Sequence, residues 1–176
     1  MFSIAVDDYT LRCHTGPISE FCVDYAEHAR LVDQFDRDEI DGVPCFFAVA
    51  RGNNWPFLVV TQRSRQEVLF KPSALIVPET ERLFLGIDER LVAYDLSEPR
   101  RLWEDSTDCG VLGWAKHGQY VLMSAELELA AWDDHGQKQW STFVEPPWTY
   151  SVSENEVRLD VMGNQSAFPM GSGPRK

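Results

Sequence analysis

The sequence is short of the patterns from which most catalytic and metal sites are built. Four cysteines and four histidines are spread through 176 residues. Cys13, Cys22, Cys45 and Cys109 have no CxxC spacing. His14, His28, His117 and His135 form neither HxH nor HExxH, so no arrangement sets two ligands on one zinc ion. Walker, GxGxxG and GxSxG signatures are also missing, which argues against a nucleotide-dependent enzyme. No apolar run approaches the roughly 18 residues of a membrane-spanning helix. The start, Met1 to Asp8, lacks the basic and apolar regions of a signal peptide. The expectation is a soluble cytoplasmic protein with no metal, no cofactor and no membrane association, whose scattered thiols stay reduced and pack as small hydrophobes.

Basic residues are scarce as well. Lys plus Arg number 16 against 28 Asp plus Glu, a net charge of −12. That field repels phosphate backbones and makes nucleic acid an improbable ligand. It favours solubility, and it would steer the chain toward a basic protein partner.

What is present is core-forming material. The apolar share of 44% and aromatic share of 12% can fill a core without disulfides or a metal. The length suits one domain, read here as an N-terminal part (1–44), a repeat core (45–165) and a tail (166–176). Ser3 to Cys13 alternates around Asp7-Asp8 as a hairpin or bent strand, and Thr15-Gly16-Pro17 breaks it. From Ser19 to Asp38, Phe21, Tyr25, Ala29, Val32 and Phe35 recur every three or four positions, the spacing of one helical face with Ser19 near its cap. Phe21 to Tyr25 also permits an alternating reading. The acidic stretch Asp33 to Asp41, with Gly42 and Pro44, reads as a loop.

From Cys45 the signal is β. Cys45 to Ala50 and Phe57 to Thr61 are apolar runs joined by Gly52-Asn53-Asn54, with Pro56 at a strand start. Val68 to Phe70 and Ala74 to Val77 read as short strands. Leu83 to Ile87 and Leu91 to Asp95 form a hairpin across Asp88-Glu89-Arg90. Trp148 to Val152 and Val157 to Val161 form another. The end, Gly171 to Lys176, lacks apolar content and is expected to fray.

Two stretches repeat. Asp95 and Asp133 lie 38 residues apart and Trp103 and Trp140 lie 37 apart, each tryptophan following its aspartate after a polar turn. One more step of 38 back from Leu83 lands on Cys45, the start of a degenerate third unit. Such a unit has one apolar face that its neighbour must cover. The aspartate is placed to bond backbone N–H groups at the corner, and the tryptophan to fill space between sheets.

Leu83 to Trp103 and Val121 to Trp140 resemble blades of the quinoprotein-like (PQQ-type) β-propeller repeat family. A strand ends in Gly or Ser (Leu85-Gly86; Met123-Ser124), a turn follows, the next strand ends in aromatic-Asp (Tyr94-Asp95; Trp132-Asp133), and a polar turn leads to Trp. The resemblance covers two repeats and implies blade-like local structure. The family's cofactor-ligating residues have no counterpart here, so quinone binding is not implied. The fold class expected is mainly β and antiparallel: partial or small propeller-like repeats or a two-sheet sandwich, with one N-terminal helix.

The binding candidates are Trp55, Trp114, Glu145 and Trp148. Glu145-Pro146-Pro147-Trp148 holds an acid and an indole at a nearly fixed separation, which suits a recognition loop or a rigid corner. Trp55 beside Pro56, and Trp114 after Gly113, lie near loops and suit either a rim or the core. The leading functional reading is a noncatalytic protein-interaction module, immunity- or adaptor-like, that presents an acidic, tryptophan-containing surface. A rival is a hydrolase using Glu126, Glu128 or Glu145 in a cleft lined by Trp148 and Trp55, which needs two converging carboxylates. A third is a structural subunit whose sheet edges pair with other copies.

Overall fold

The computed structural model describes residues 2–35, 42–64 and 71–175. Packing divides the chain into two compact units, where length alone suggests one domain: residues up to 69 together with Tyr94–Arg101, and the remainder.

The first unit is built on a five-stranded sheet, in the spatial order Phe2–Val6, Tyr9–Thr15, Val43–Arg51, Leu58–Ser64 and Leu31–Phe35. β1 (Phe2–Val6) and β2 (Tyr9–Thr15) form the expected hairpin, with Asp7 in the left-handed region at φ 54°. β4 (Val43–Arg51) and β5 (Leu58–Ser64) pair across Gly52 to Phe57. The expected long helix is shorter than its periodicity. α1 (Glu20–His28) stops, and Leu31–Phe35 is a strand, β3, paired parallel to β5. Val32 and Phe35 therefore belong to a strand, and neither Asp33 nor Pro44 lies in a loop. The helical face is also rotated by one residue. Cys22, Tyr25, Ala26 and Ala29 pack on Phe46, Ala48 and Val59, while Phe21 is 66% exposed. Both sets share Tyr25 and Ala29, so spacing alone does not separate them. The stretch from Cys45 is a strand as expected, but its sheet carries a parallel edge that the blade-like sheets lack. The expected strand Val68 to Phe70 lies outside the described residues.

Two four-stranded antiparallel meanders follow. The first is β6 (Ser73–Val77), β7 (Arg82–Ile87), β8 (Arg90–Asp95) and β9 (Arg100–Ser106). The second is β10 (Val111–His117), β11 (Tyr120–Ala125), β12 (Glu128–Asp133) and β13 (Lys138–Phe143). Order in sequence equals order in space, as in a propeller blade, and the repeat maps β7-β8-β9 onto β11-β12-β13. Their apolar sides shield each other: Phe84, Leu91 and Ala93 pack with Val121, Met123, Ala130 and Trp132. Gly86, where the resemblance places a small residue, is required by close approach, since a Cβ there would lie 2.7 Å from Val111 Cγ1.

The aspartates act as expected. Asp95 Oδ1 accepts from the backbone N–H groups of Ser97 (3.0 Å) and Glu98 (3.3 Å), and Asp133 Oδ1 from those of His135 (3.1 Å) and Gln137 (2.8 Å). These bonds satisfy turn N–H groups that no ladder reaches. The tryptophans act alike too. Trp103 Nε1 donates to Gly136 O at 2.6 Å and Trp140 Nε1 to Met170 O at 2.5 Å.

The last sheet has three strands, β14 (Trp148–Ser153), β15 (Glu156–Val161) and β16 (Asn164–Pro169). Val157, Leu159 and Phe168 pack with Leu122, Leu129, Ala131 and Trp140 of the preceding sheet. The tail differs from its expectation: Met170 and Gly173 are buried, and a Cβ on Gly173 would lie 2.4 Å from Trp140 Cγ. An indole docked on the backbone orders a segment that carries little apolar surface of its own.

Candidate functional site

The loop between β13 and β14 is tied at both ends. Val144, buried, donates its N–H to Leu127 O at 3.0 Å, and Pro147 O accepts from Met162 N–H at 2.9 Å. Prolines leave two fewer donors to satisfy. The chain leaves this corner through Trp148, whose Nε1 donates to Glu126 O at 2.9 Å. Trp148 and Tyr150, two apart on β14 and therefore on one face, lie near-parallel, with ring centroids 6.2 Å apart at 24°.

These residues line a cleft of about 460 Å³ together with Leu112, Ser124, Glu126, Pro146 and Pro147. Leu112 is 56% exposed. The Glu126 carboxylate accepts from Cys109 Sγ–H at 3.0 Å, and that bond holds the thiol above its ordinary pKa. Burial pushes the Tyr150 phenol up as well. The lining of the cleft thus combines aromatic rings and prolines with one acidic residue, Glu126.

The other sequence candidates are dispersed. Glu145 is exposed on the same loop but does not line the cleft. Trp114 packs against Phe84 and Trp132, centroids 5.4 Å from each, with its indole nitrogen buried and unpartnered. Trp55, 54% exposed, belongs to the first unit, where it stacks on His28 at 4.4 Å and meets Tyr25 edge-on at 5.8 Å. Tyr150 and Leu112 were not singled out in the sequence. For Tyr150, the i, i+2 relation to Trp148 is a usable signal. For Leu112, only the fold brings it near.

The carboxylates of the hydrolase reading do not share one environment. Glu126 neighbours Cys109 and Trp148, whereas Glu128 lies 3.8 Å from Lys138, which also binds Asp105 at 2.7 Å. Burial raises the Glu128 carboxyl, and Lys138 opposes that rise. Among the described residues no group of three or more His, Cys, Asp or Glu is placed to hold a metal. No helix among them is long and apolar enough to cross a membrane. No disulfide joins the four cysteines, and burial pushes the Cys13 thiol up to about 12.

No family model and no curated protein matches the sequence. Solved structures do align. The β-propeller domain of the Trilobed protease from Pyrococcus furiosus is 6% identical over 90% of this chain and 47% of its own, at a TM-score of 0.48. BamB from Moraxella catarrhalis is 15% identical over 76% of this chain and 44% of its own, at 0.43. A europium-containing methanol dehydrogenase is 14% identical over 59% of this chain and 23% of its own, also at 0.43. The chain therefore spans less than half the length of each. At such identities and TM-scores these likenesses carry nothing about activity, substrate or partner. The description of the chain as mainly antiparallel β with blade-like repeats rests on its own sheet order and register.

Proposed function

We propose that this chain is a noncatalytic protein-interaction module that holds an extended, basic segment of a partner protein at the Trp148 cleft. The observation that carries the reading is the near-parallel Trp148–Tyr150 pair in a cleft that Glu126 also lines. Aromatic rings with adjacent prolines offer a low-entropy platform for an extended backbone. Glu126, the one acidic residue of that lining, can pair with one Arg or Lys of the segment. The net charge of −12 would speed the encounter with a basic partner. The same features suit an immunity-like or adaptor-like role in the cytoplasm, in which a small acidic protein covers a basic one.

The test is a titration of an arginine- and proline-containing peptide, followed by tryptophan fluorescence, on the wild-type chain, Trp148→Ala and Glu126→Gln. Loss of a central aromatic anchor is expected to weaken binding by about 30-fold, roughly 2 kcal/mol. Glu126→Gln should weaken it less and flatten its salt dependence. Unchanged affinity in Trp148→Ala would move the partner surface elsewhere. Absence of saturable binding in the wild-type chain would remove the basic-segment reading.

A further inference from the structure

β16 is the edge strand of the last sheet, and among the described residues no strand pairs with its outer side. The corresponding edges of the two preceding sheets carry charge: Arg100, Arg101, Glu104 and Asp105 in β9, and Lys138 in β13. β16, Asn-Gln-Ser-Ala-Phe-Pro, carries none, and residues 164–167 are exposed. Free edges are normally blunted by charge, bulges or proline, and here Pro169 alone serves.

The backbone parity of this edge follows from the register. In an antiparallel ladder alternate residues bond to the same neighbour. Met170 N–H donates to Asn155 O at 2.7 Å, which extends the pairing of Val161 with Asn164 through Glu156 with Pro169. Residues 164, 166 and 168 therefore bond inward to β15, and residues 165, 167 and 169 turn their backbone groups outward. Proline has no N–H, so the outward donors are those of Gln165 and Ala167.

We propose that β16 is a self-association edge, which pairs antiparallel with β16 of a second copy about a two-fold axis at Ser166. In that register Gln165 faces the partner's Ala167, and Ala167 faces the partner's Gln165. Both are bonded pairs, so every outward donor between the turn and Pro169 finds a carbonyl, giving four N–H···O=C bonds. Pro169 falls opposite the partner's Gly163, outside the bonded stretch. The contact is isologous and closes as a dimer. Two three-stranded sheets become one of six strands, within the common range. A chain with a net charge of −12 self-associates at lowest cost along an uncharged strand, and that selects this edge over β9 and β13.

The experiment is light scattering and sedimentation equilibrium on the full chain over a dilution series, with Ala167→Pro, Ala167→Lys and Ile4→Lys beside the wild type. Wild type is expected to form a concentration-dependent dimer. Ala167→Pro deletes two of the four bonds and should weaken it by about 30-fold. Ala167→Lys keeps the N–H but places a charge from each copy at the seam, and it should also shift the equilibrium to monomer. If the proline variant fails to fold, judged by near-ultraviolet circular dichroism, the lysine variant decides. A wild-type chain that stays monomeric at every concentration overturns the proposal. So does a dimer that survives both Ala167 variants, or one abolished instead by Ile4→Lys on β1, an uncharged edge strand of the first unit's sheet.

Discussion

The sheets β10–β13 and β14–β16 are neighbours in one unit and are made differently. In the first, both faces are apolar: Val121, Met123, Ala130 and Trp132 pack on one side and Leu122, Leu129 and Ala131 on the other. In the last, Val157, Leu159 and Phe168 are buried, while Thr149, Ser151, Arg158, Gln165 and Ala167 on the opposite face are exposed. The difference is visible in the strands themselves. β12 reads Glu-Leu-Ala-Ala-Trp-Asp, a continuous apolar run between polar ends, whereas β15 reads Glu-Val-Arg-Leu-Asp-Val, an alternation. A sheet covered on both faces has no polar side to present, and a sheet covered on one must alternate. A polar outer face of this kind stays solvated without an apolar neighbour to cover it.

The contrast can be broken most directly at Trp132, which is fully buried, stacks on Trp103 at 5.4 Å and meets Trp114 edge-on at 5.4 Å. Trp132→Ala is expected to cost about 3–5 kcal/mol, read as the shift in urea unfolding free energy, because a large cavity opens between two sheets. A loss below about 1 kcal/mol would mean that this layer collapses freely and is not a packed core.

A smaller effect tests whether the two tryptophan docks are equally tight. Gly173 at φ +68° would place a Cβ 2.4 Å from Trp140 Cγ, whereas Gly136 at φ +94° would place one 3.2 Å from Trp103 Nε1. Gly173→Ala is expected to destabilise by about 1–3 kcal/mol through overpacking and backbone strain. Gly136→Ala should cost less, since its neighbour has only to shift slightly. Equal thermal midpoints for the two variants would contradict that ranking.

Glu128 sharpens the comparison through pH. Burial raises its carboxyl above the usual range in the folded state. The stability it contributes is therefore fully present below the unfolded carboxyl pKa of about 4.3 and is lost as pH rises through the folded value. Glu128→Gln, neutral throughout, should match wild type in acid and gain on it toward neutral pH, as read from urea midpoints. A variant that loses ground at neutral pH would show the Lys138 pair at 3.8 Å outweighing burial. The smallest change is expected on the polar outer face. Arg158, exposed and paired with Glu156 at 2.9 Å, should yield an alanine variant within about 0.5 kcal/mol of wild type.

Legibility followed the range of the interactions involved. Hairpins were readable because their turn chemistry and alternation lie within a few residues, as at Asp7-Asp8, Asp88-Glu89 and Asn155 between β14 and β15. The repeat was readable because equivalent sites recur at fixed spacing. β3 was not, because a parallel pair joins distant segments and leaves no local turn signal. β16 has one buried apolar side chain, Phe168, too little to register as a pattern. The tail had one unused signal: Trp103 precedes Gly136 by 33 residues, and Trp140 precedes Gly173 by the same interval. Of the cleft, Trp148 and its proline loop were legible, but the partners that complete it come from β10, β11 and the turn before β12.

By itself the amino-acid order determined strand content, the corners held by Asp95 and Asp133, and the existence of two equivalent units, because period-two burial and turn bonding act over a few residues. Only the tertiary structure decided which side of α1 is buried, that β3 lies parallel to β5, that Gly173 lies under an indole, and that Leu112, Glu126 and Trp148 face one space. Those outcomes depend on which surfaces meet across dozens of residues, and close packing selects among alternatives that local spacing leaves equal.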